Sequence, residues 1–420
     1  MRIDRVRRLP LAVAIVGALA AGLVIATTAG ARTKAAPSVD IWAIAPIGLP
    51  AEDVFQTPAG DNVAARYINS HGGLGNLHQK LVVKVCNTQG TPTGELQCGQ
   101  QATADPNSIA VVEPIVVRNT DAFTAELENH GLPAINPFVN APSDFVNPIN
   151  FPLWSPNFAL AACAVLTARA THLTTIGFAT LTLPINVAEV HSAITATTNA
   201  GLKSAGDVEL PITSTDLSPF ARQLQQMNPQ LDAVQFPPFL TGAWLAASQQ
   251  LGVNVPTCTQ DGLTDYQTVA GLGSSLPPFY VAAFLPDVYA KGYPLIDQFR
   301  SQALAEVKAG DKQASLAPTS NPQLTLNAWL ATQVVAQASA NVKGVINRTK
   351  FLAALNHSTV RFGAGKQQVL PTINFAKPNS NPKYTRLFNT RIFLKKWNPN
   401  TKRYTTVTTV RAALGDQLVP

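Results

Sequence analysis

The stretch from Val39 to Val85 constrains the fold of this chain most: an apolar strand runs through a Pro/Gly loop into a helix that stops at a double glycine, and a second strand follows. Val39 to Ala45 reads as the strand and Pro46-Ile-Gly-Leu-Pro as the loop. Asp61 to Asn69 carries helical periodicity, His71-Gly72-Gly73 ends it, and Leu81 to Val85 is the next strand. This is a βαβ opening, and in parallel α/β sheets ligands gather beyond the carboxyl ends of the strands. Pro46 to Phe55 is therefore one expected wall of a site, with Glu52 and Phe55 as its candidate side chains.

The residues ahead of this unit read as an export signal. Arg2, Arg5, Arg7 and Arg8 precede an apolar run from Leu9 to Ala26, and Ala29-Gly30-Ala31 has the small residues of a signal-peptidase site. Residues 1–31 are read as a cleaved signal peptide, with retention as a membrane anchor the other outcome. No Cys follows the run, which disfavours a lipid anchor. The leader holds four arginines and one aspartate, so the formal charge of +7 falls to +4 without it. The remaining basic excess clusters around Lys395, Lys396, Lys402 and Arg403, where a solvated hairpin is expected, with no nucleic-acid recognition motif beside it.

About 390 residues remain, enough for two domains or one large α/β assembly. Apolar content of 46% suits a globular core, whereas charged content of 13% is well below the usual figure of about 25%. Four cysteines in an exported chain point to disulfides rather than metal ligation. Cys86 and Cys98, at a strand end and at the start of the helix after the polar loop Asn87 to Gln97, are the better pair. Closing so short a loop contributes about 3 kcal/mol on the chain-entropy model. Cys163 and Cys258 stay open between a second bridge and buried thiols.

Strand-like and helix-like segments keep alternating. Ser108 to Val112 and Leu132 to Ile135 flank a helix over Thr120 to His130; Asn136 to Pro156, with five prolines, reads as an irregular crossing. Helix Phe158 to Ala170 restarts the pattern. Strands are expected at Thr174 to Ala179, Asp207 to Leu210, Ala233 to Phe236, Pro256 to Thr259 and Phe279 to Phe284. The helices between them are Val187 to Ala200, Pro219 to Met227 and Gly242 to Leu251. Helices Pro294 to Ala309, Leu324 to Lys343 and Thr349 to Leu355 follow, then a hairpin of Thr390 to Trp397 with Arg403 to Val410. The expected fold class is α/β: two doubly wound three-layer lobes.

The ordered series "VDIWAIAPIG", "GDNVAARYINSHGGLGNLHQKLVVKVC", "SIAVVEP", "ELENHGLPAINP" and "LTLNAWLATQVVAQA" resembles the type I periplasmic binding proteins, specifically the branched-chain amino acid (leucine) binding-protein group of ABC transporters. The likeness covers most of Val39 to Gly365, and the Cys86 to Cys98 bridge resembles the family too. It implies two hinged lobes that close on a small molecule, here 37–154 plus 286–362 and 155–285 plus 363–420. It also implies a monomer that hands its ligand to ABC permease subunits and meets the membrane only through them or through an uncleaved leader. Neither cofactor nor metal is expected.

Strand ends nominate the cleft residues. These are Glu113 and Ile115, Asn136 and Phe138 on lobe one, and Thr180, Phe236, Asp261 and Phe284 on lobe two, beside Glu52 and Phe55. Two of these loops depart from the family pattern. Val112-Glu113-Pro114-Ile115-Val116 and Asn136-Pro137-Phe138-Val139-Asn140 stand where amino-acid binders carry small hydroxyl residues and open amides. A ligand with an apolar or aromatic body fits this inventory better than a zwitterionic amino acid. The alternatives are an exported hydrolase on a doubly wound fold and a ligand-sensing domain without transport. G-x-S-x-G, H-E-x-x-H, P-loop and G-x-G-x-x-G motifs are absent. "GAGK" at Gly363 to Lys366 reads as a turn, His71 and His78 as exposed loop residues, and Asp261 and Asp265 as ligand-orienting or helix-capping acids rather than catalytic ones.

Overall fold

In the computed structural model, residues 37–49, 53–139, 142–154, 158–316 and 321–410 are described. The predicted leader 1–31 and Glu52 lie outside them. Five strands, β1 (Val39–Ala45), β2 (Leu81–Asn87), β3 (Ser108–Val112), β4 (Ala134–Ile135) and β5 (Asn150–Phe151), form a parallel sheet in the order β2-β1-β3-β4-β5. A second sheet takes β6 (Thr175–Leu181), β7 (Lys203–Leu210), β8 (Leu231–Gln235), β9 (Thr257–Gln260) and β10 (Phe279–Ala283) in the order β7-β6-β8-β9-β10. β1 and β6 are thus each flanked by the strand that follows and the one after it. That reversal opens a crevice at the carboxyl ends of each sheet.

β11 (Thr359–Phe362) and β12 (Leu370–Asn374) make a separate antiparallel pair, and β13 (Ile392–Asn398) with β14 (Arg403–Val410) extends the second sheet antiparallel from β10. The β11–β12 pair was not anticipated. It straddles residue 362, where the sequence had put a lobe boundary, and the "GAGK" stretch is the turn between its strands.

Helices cover both faces. Around the first sheet lie α1 (Gln56–Ser70), α2 (Pro92–Ala104) and α3 (Thr120–Asn129). Along the second sheet run α4 (Ala159–Thr171), α5 (Pro184–Asn199), α6 (Ser218–Gln226), α7 (Pro238–Gln250) and the short α8 (Tyr266–Gly271). The chain then returns with α9 (Pro294–Lys308), α10 (Pro322–Ser339) and α11 (Arg348–Asn356). α1 begins five residues ahead of the sequence expectation, because Pro58 and Gly60 disguised its first turn. Proline is tolerated there, since its missing N–H has no helical acceptor to lose.

Gly60 has a further reason. A Cβ at this position would sit 2.2 Å from the Thr325 carbonyl oxygen of α10, so the two helices approach closely only because it is glycine. At the same contact Thr332 Oγ1 donates to Asp61 Oδ1 at 2.7 Å.

Most of the predicted loop Asn87 to Gln97 is in fact α2. Thr91 caps it by accepting from Gly94 N, and Pro92 occupies the first turn, which is a helix-start signal read as loop composition. Cys98 is therefore a buried mid-helix residue, and it is bridged to Cys86 with a Cα–Cα distance of 5.7 Å. Cys163, on the wholly buried face of α4, and Cys258, on β9, are free buried thiols lying beside one another rather than a second bridge. Asp265 caps α8 through Gln267 N and Thr268 N, as expected.

The bridge closes a loop with a sequence separation of 12, which on the loop-entropy model is worth about 3 kcal/mol. Cys86→Ser with Cys98→Ser is expected to lower the unfolding free energy by about that amount in denaturant titration. The native protein should show no thiol titratable by a water-soluble reagent until it unfolds, and two thereafter.

Candidate functional site

The crossing segments bring the carboxyl ends of the two sheets face to face. Residues 375–391 have little regular structure but are strapped to the edge of the first sheet. The Arg386 guanidinium is stacked between the Phe151 and Phe388 rings, and its Nε donates to the Asn150 carbonyl oxygen at 2.7 Å. Asn389 Nδ2 donates to the Leu153 carbonyl oxygen at 3.0 Å. Trp154 packs against Phe138 on one side and Phe284 on the other, so an aromatic run links the two lobes.

Two spaces open along this seam. The inner one is a cavity of about 20 Å³ bordered by Asn136, Trp154, Asp261 and Phe284, with room for about one water molecule. Three of the predicted site residues, Asn136, Asp261 and Phe284, meet here. Asp261 Oδ2 is paired with the buried Lys395 Nζ at 3.2 Å, and its carboxyl lies above its usual range because burial outweighs that cation. The outer space is a cleft of about 820 Å³ with walls from both lobes, and Phe138 and Phe236 line it as predicted.

The remaining predicted residues line neither space. Phe55 stands at the entry to α1, Ile115 N donates to the Ile44 carbonyl oxygen, and Thr180 is buried in β6. Glu113 is neither a cleft residue nor an exposed one. It leaves β3 with φ 45° and Asn136 leaves β4 with φ 54°, left-handed conformations that turn the two side chains together. Asn136 Nδ2 donates to Glu113 Oε2, and Asn136 Oδ1 accepts from Leu153 N at 3.0 Å. Burial, with the Asp61 carboxyl nearby, holds Glu113 well above the ordinary carboxylate range; burial does the same to Asp61, opposed by Thr332.

Several lining residues were not foreseen, because they lie one step beyond the strand-end loops, in the first turns of the helices that follow. Pro92, Asn119 and Asp121 begin α2 and α3, and Glu189 belongs to the body of α5; Leu183, at the start of α5, is the end of the strand-end stretch Thr180 to Leu183 that the sequence did nominate. Ile212 follows β7. It is 40% exposed and Leu183 is 38% exposed, so the cleft leaves large apolar side chains in contact with water. An isoleucine set in the polar stretch Pro211 to Thr215 was the available signal for the first of these.

The lobe-one wall is held by an acid from within. Glu95, 1% exposed, accepts from the backbone N–H groups of Val117 at 2.9 Å, Arg118 at 3.0 Å and Asn119 at 2.7 Å. Three consecutive amides on one carboxylate fix the loop before α3. Hydrogen bonds to a charged group contribute about 1.5–3 kcal/mol each, so Glu95→Ala is expected to cost at least about 3 kcal/mol in denaturant unfolding, and Glu95→Gln distinctly less.

Glu113 yields a pH-dependent expectation. A buried acid whose folded-state pKa is raised contributes stability that is fully present below its ordinary pKa and is lost as pH rises towards the folded value. Glu113→Gln, which keeps an acceptor for Asn136, should therefore match the wild type near pH 4 and exceed it in stability at neutral pH. Parallel stability curves for the two proteins would refute this.

Residues 51–380 match the family model of the periplasmic binding proteins. No curated protein matches the sequence. Among solved structures, an extracellular ligand-binding receptor from Verminephrobacter eiseniae superposes with a TM-score of 0.74 at 16% identity, covering 88% of this chain and all of that one. A fatty acid ABC transporter substrate-binding protein from Thermomonospora curvata gives 0.72 at 13% identity over 91% and 95% of the two chains. An ABC transporter solute-binding protein from R. palustris, in complex with 4-hydroxybenzoate, gives 0.72 at 12% identity over 89% and 97%. With its two doubly wound lobes and a cleft at their facing strand ends, the chain belongs to the periplasmic binding protein family.

Proposed function

We propose that the protein is an exported solute-binding protein that takes a small molecule with an apolar or aromatic body into the cleft of about 820 Å³ and delivers it to the permease of an ABC transporter. Lobe one comprises 37–154 with 286–374, and lobe two 159–283 with the C-terminal hairpin.

The observation that carries this reading is the exposed apolar surface inside the cleft. Leu183 and Ile212 on one lobe and Phe138 on the other are partly open to water. A ligand that covers them stabilises the closed state through contacts with both sides. Burial of two or three such side chains, at about 25 cal/mol per Å², supplies much of the roughly 8 kcal/mol that micromolar binding needs.

The site of a simple amino acid is correspondingly reduced. Where the resemblance implies small hydroxyl residues and open amides, Asn136 Nδ2 is taken up by Glu113 Oε2, and the cavity beside Asn136 measures about 20 Å³. Two of the superposed structures point the same way in their own ligand chemistry, since one is named for fatty acids and the other holds an aromatic ring.

A thermal-shift screen of aliphatic, aromatic and amino-acid compounds tests the reading, since a true ligand raises the melting temperature by mass action. Apolar and aromatic compounds are expected to respond and leucine and valine are not. Phe138→Ala should weaken the best of them about tenfold by calorimetry, the effect of losing part of one buried aromatic contact. Tight leucine binding with no response to apolar compounds would sink the proposal.

A further inference from the structure

The lobe-two wall of the cleft carries a row of oxygen acceptors without donors. Thr180 and Gln235 are register partners on the parallel strands β6 and β8. Gln260 lies two residues beyond Cys258, as Gln235 lies two beyond Ala233, and those two are register partners on β9 and β8. Side chains two apart on a strand share a face, so Thr180, Gln235 and Gln260 stand side by side at the strand ends. Gln235 and Gln260 are 4% and 1% exposed, and both line the cleft.

Glu189 of α5 joins them from above, taking the Gln235 amide on Oε2 at 2.7 Å. Its other oxygen, Oε1, is buried without a partner, as are Gln235 Oε1 and Gln260 Oε1; Thr180, behind them in β6, does not reach the cleft. Buried acceptors in native proteins normally have donors, and a set left open on one cleft wall marks where a ligand's donors belong.

The opposite wall carries charges of both signs, with Arg118 and Asp121 exposed on it. The successive amides of Val117, Arg118 and Asn119 form the kind of concave nest that binds carboxylates, but the Glu95 carboxylate already fills it.

We propose, resting on the solute-binding reading above, that the ligand's polar end is a hydrogen-bond donor without negative charge, an amino or hydroxyl group on an apolar body, seated against Gln235, Gln260 and Glu189. Burial pushes the Glu189 carboxyl up to about 8, partly opposed by the Gln235 amide, so at neutral pH it is uncharged and its proton sits on Oε1, because Oε2 takes the Gln235 amide. An entering amine takes that proton and pairs as an ammonium with the carboxylate, while an alcohol accepts it as a hydrogen bond and donates its own to a glutamine oxygen. A carboxylate would instead face the unpartnered oxygens of both glutamines.

Calorimetry on the full chain with 3-phenylpropylamine, 3-phenylpropan-1-ol and 3-phenylpropanoate separates these cases, because the three share one apolar body. The amine and the alcohol should each bind at least about tenfold tighter than the acid. Glu189→Gln should remove the advantage of the amine while sparing the alcohol, and Gln260→Leu should weaken both donors and not the acid. Should either variant fail to fold, the wild-type ranking and the other variant still decide. An acid that binds as tightly as the donors overturns this inference and leaves the solute-binding reading standing. Silence from all three at millimolar concentration, beside a positive control from the broader screen, overturns the donor row alone; silence throughout the screen overturns both.

Discussion

Everything in this structure depends on the directional constraint of the parallel sheet. Strands that run the same way present all their carboxyl ends along one edge, and burial on both faces leaves that edge as the place where polar groups and ligands collect. Both lobes obey this with the same strand order, and the crossing segments turn the two edges towards one another. The cleft is therefore a product of topology before it is a product of particular side chains.

Particular side chains then divide the seam by depth. At its base, polar groups pair with one another, Glu113 with Asn136, Asp261 with Lys395, and Arg386 with the Asn150 carbonyl between two aromatic rings, although Glu113 Oε1 and Arg386 Nη2 stay buried without partners. Further out, the exposed apolar side chains of Leu183 and Ile212 stand among polar and charged ones, Arg118, Asp121 and Glu189 among them. Buried polar pairs are expensive to open, whereas water over leucine and isoleucine is readily displaced.

The fold was largely readable from sequence because its signals are periodic and local. Apolar strands ended by Gly, Pro or Asn identified the lobes, and Asn398 to Thr401 identified the hairpin turn. What escaped was hidden by local composition: Pro58 and Gly60 in the first turn of α1, Pro92 and Gly94 in α2, and the β11–β12 pair, whose strands are only four and five residues long. At the site, Phe138 and Phe236 were found because they lie at strand ends. Glu95, Gln235 and Glu189 were not, since their roles come from partners 22 to 46 residues away, and spacing along the chain does not encode such pairings. Glu113 was singled out in a strand-end loop, and its burial against Asn136 was not legible, because a charge there gives no sign that an asparagine from the next strand will bond it.

The two free thiols carry a consequence for maturation. Cys163 and Cys258 lie side by side, and what shields them is the docking of α4 on β9. Cys86 and Cys98 are close in sequence and can join in a chain that has barely begun to fold. Four accessible sulfurs allow three pairings; with the central helix docked, two of them are withdrawn and the remaining two have one. An alanine-rich helix seated on its sheet is, for this chain, what keeps the disulfide choice single.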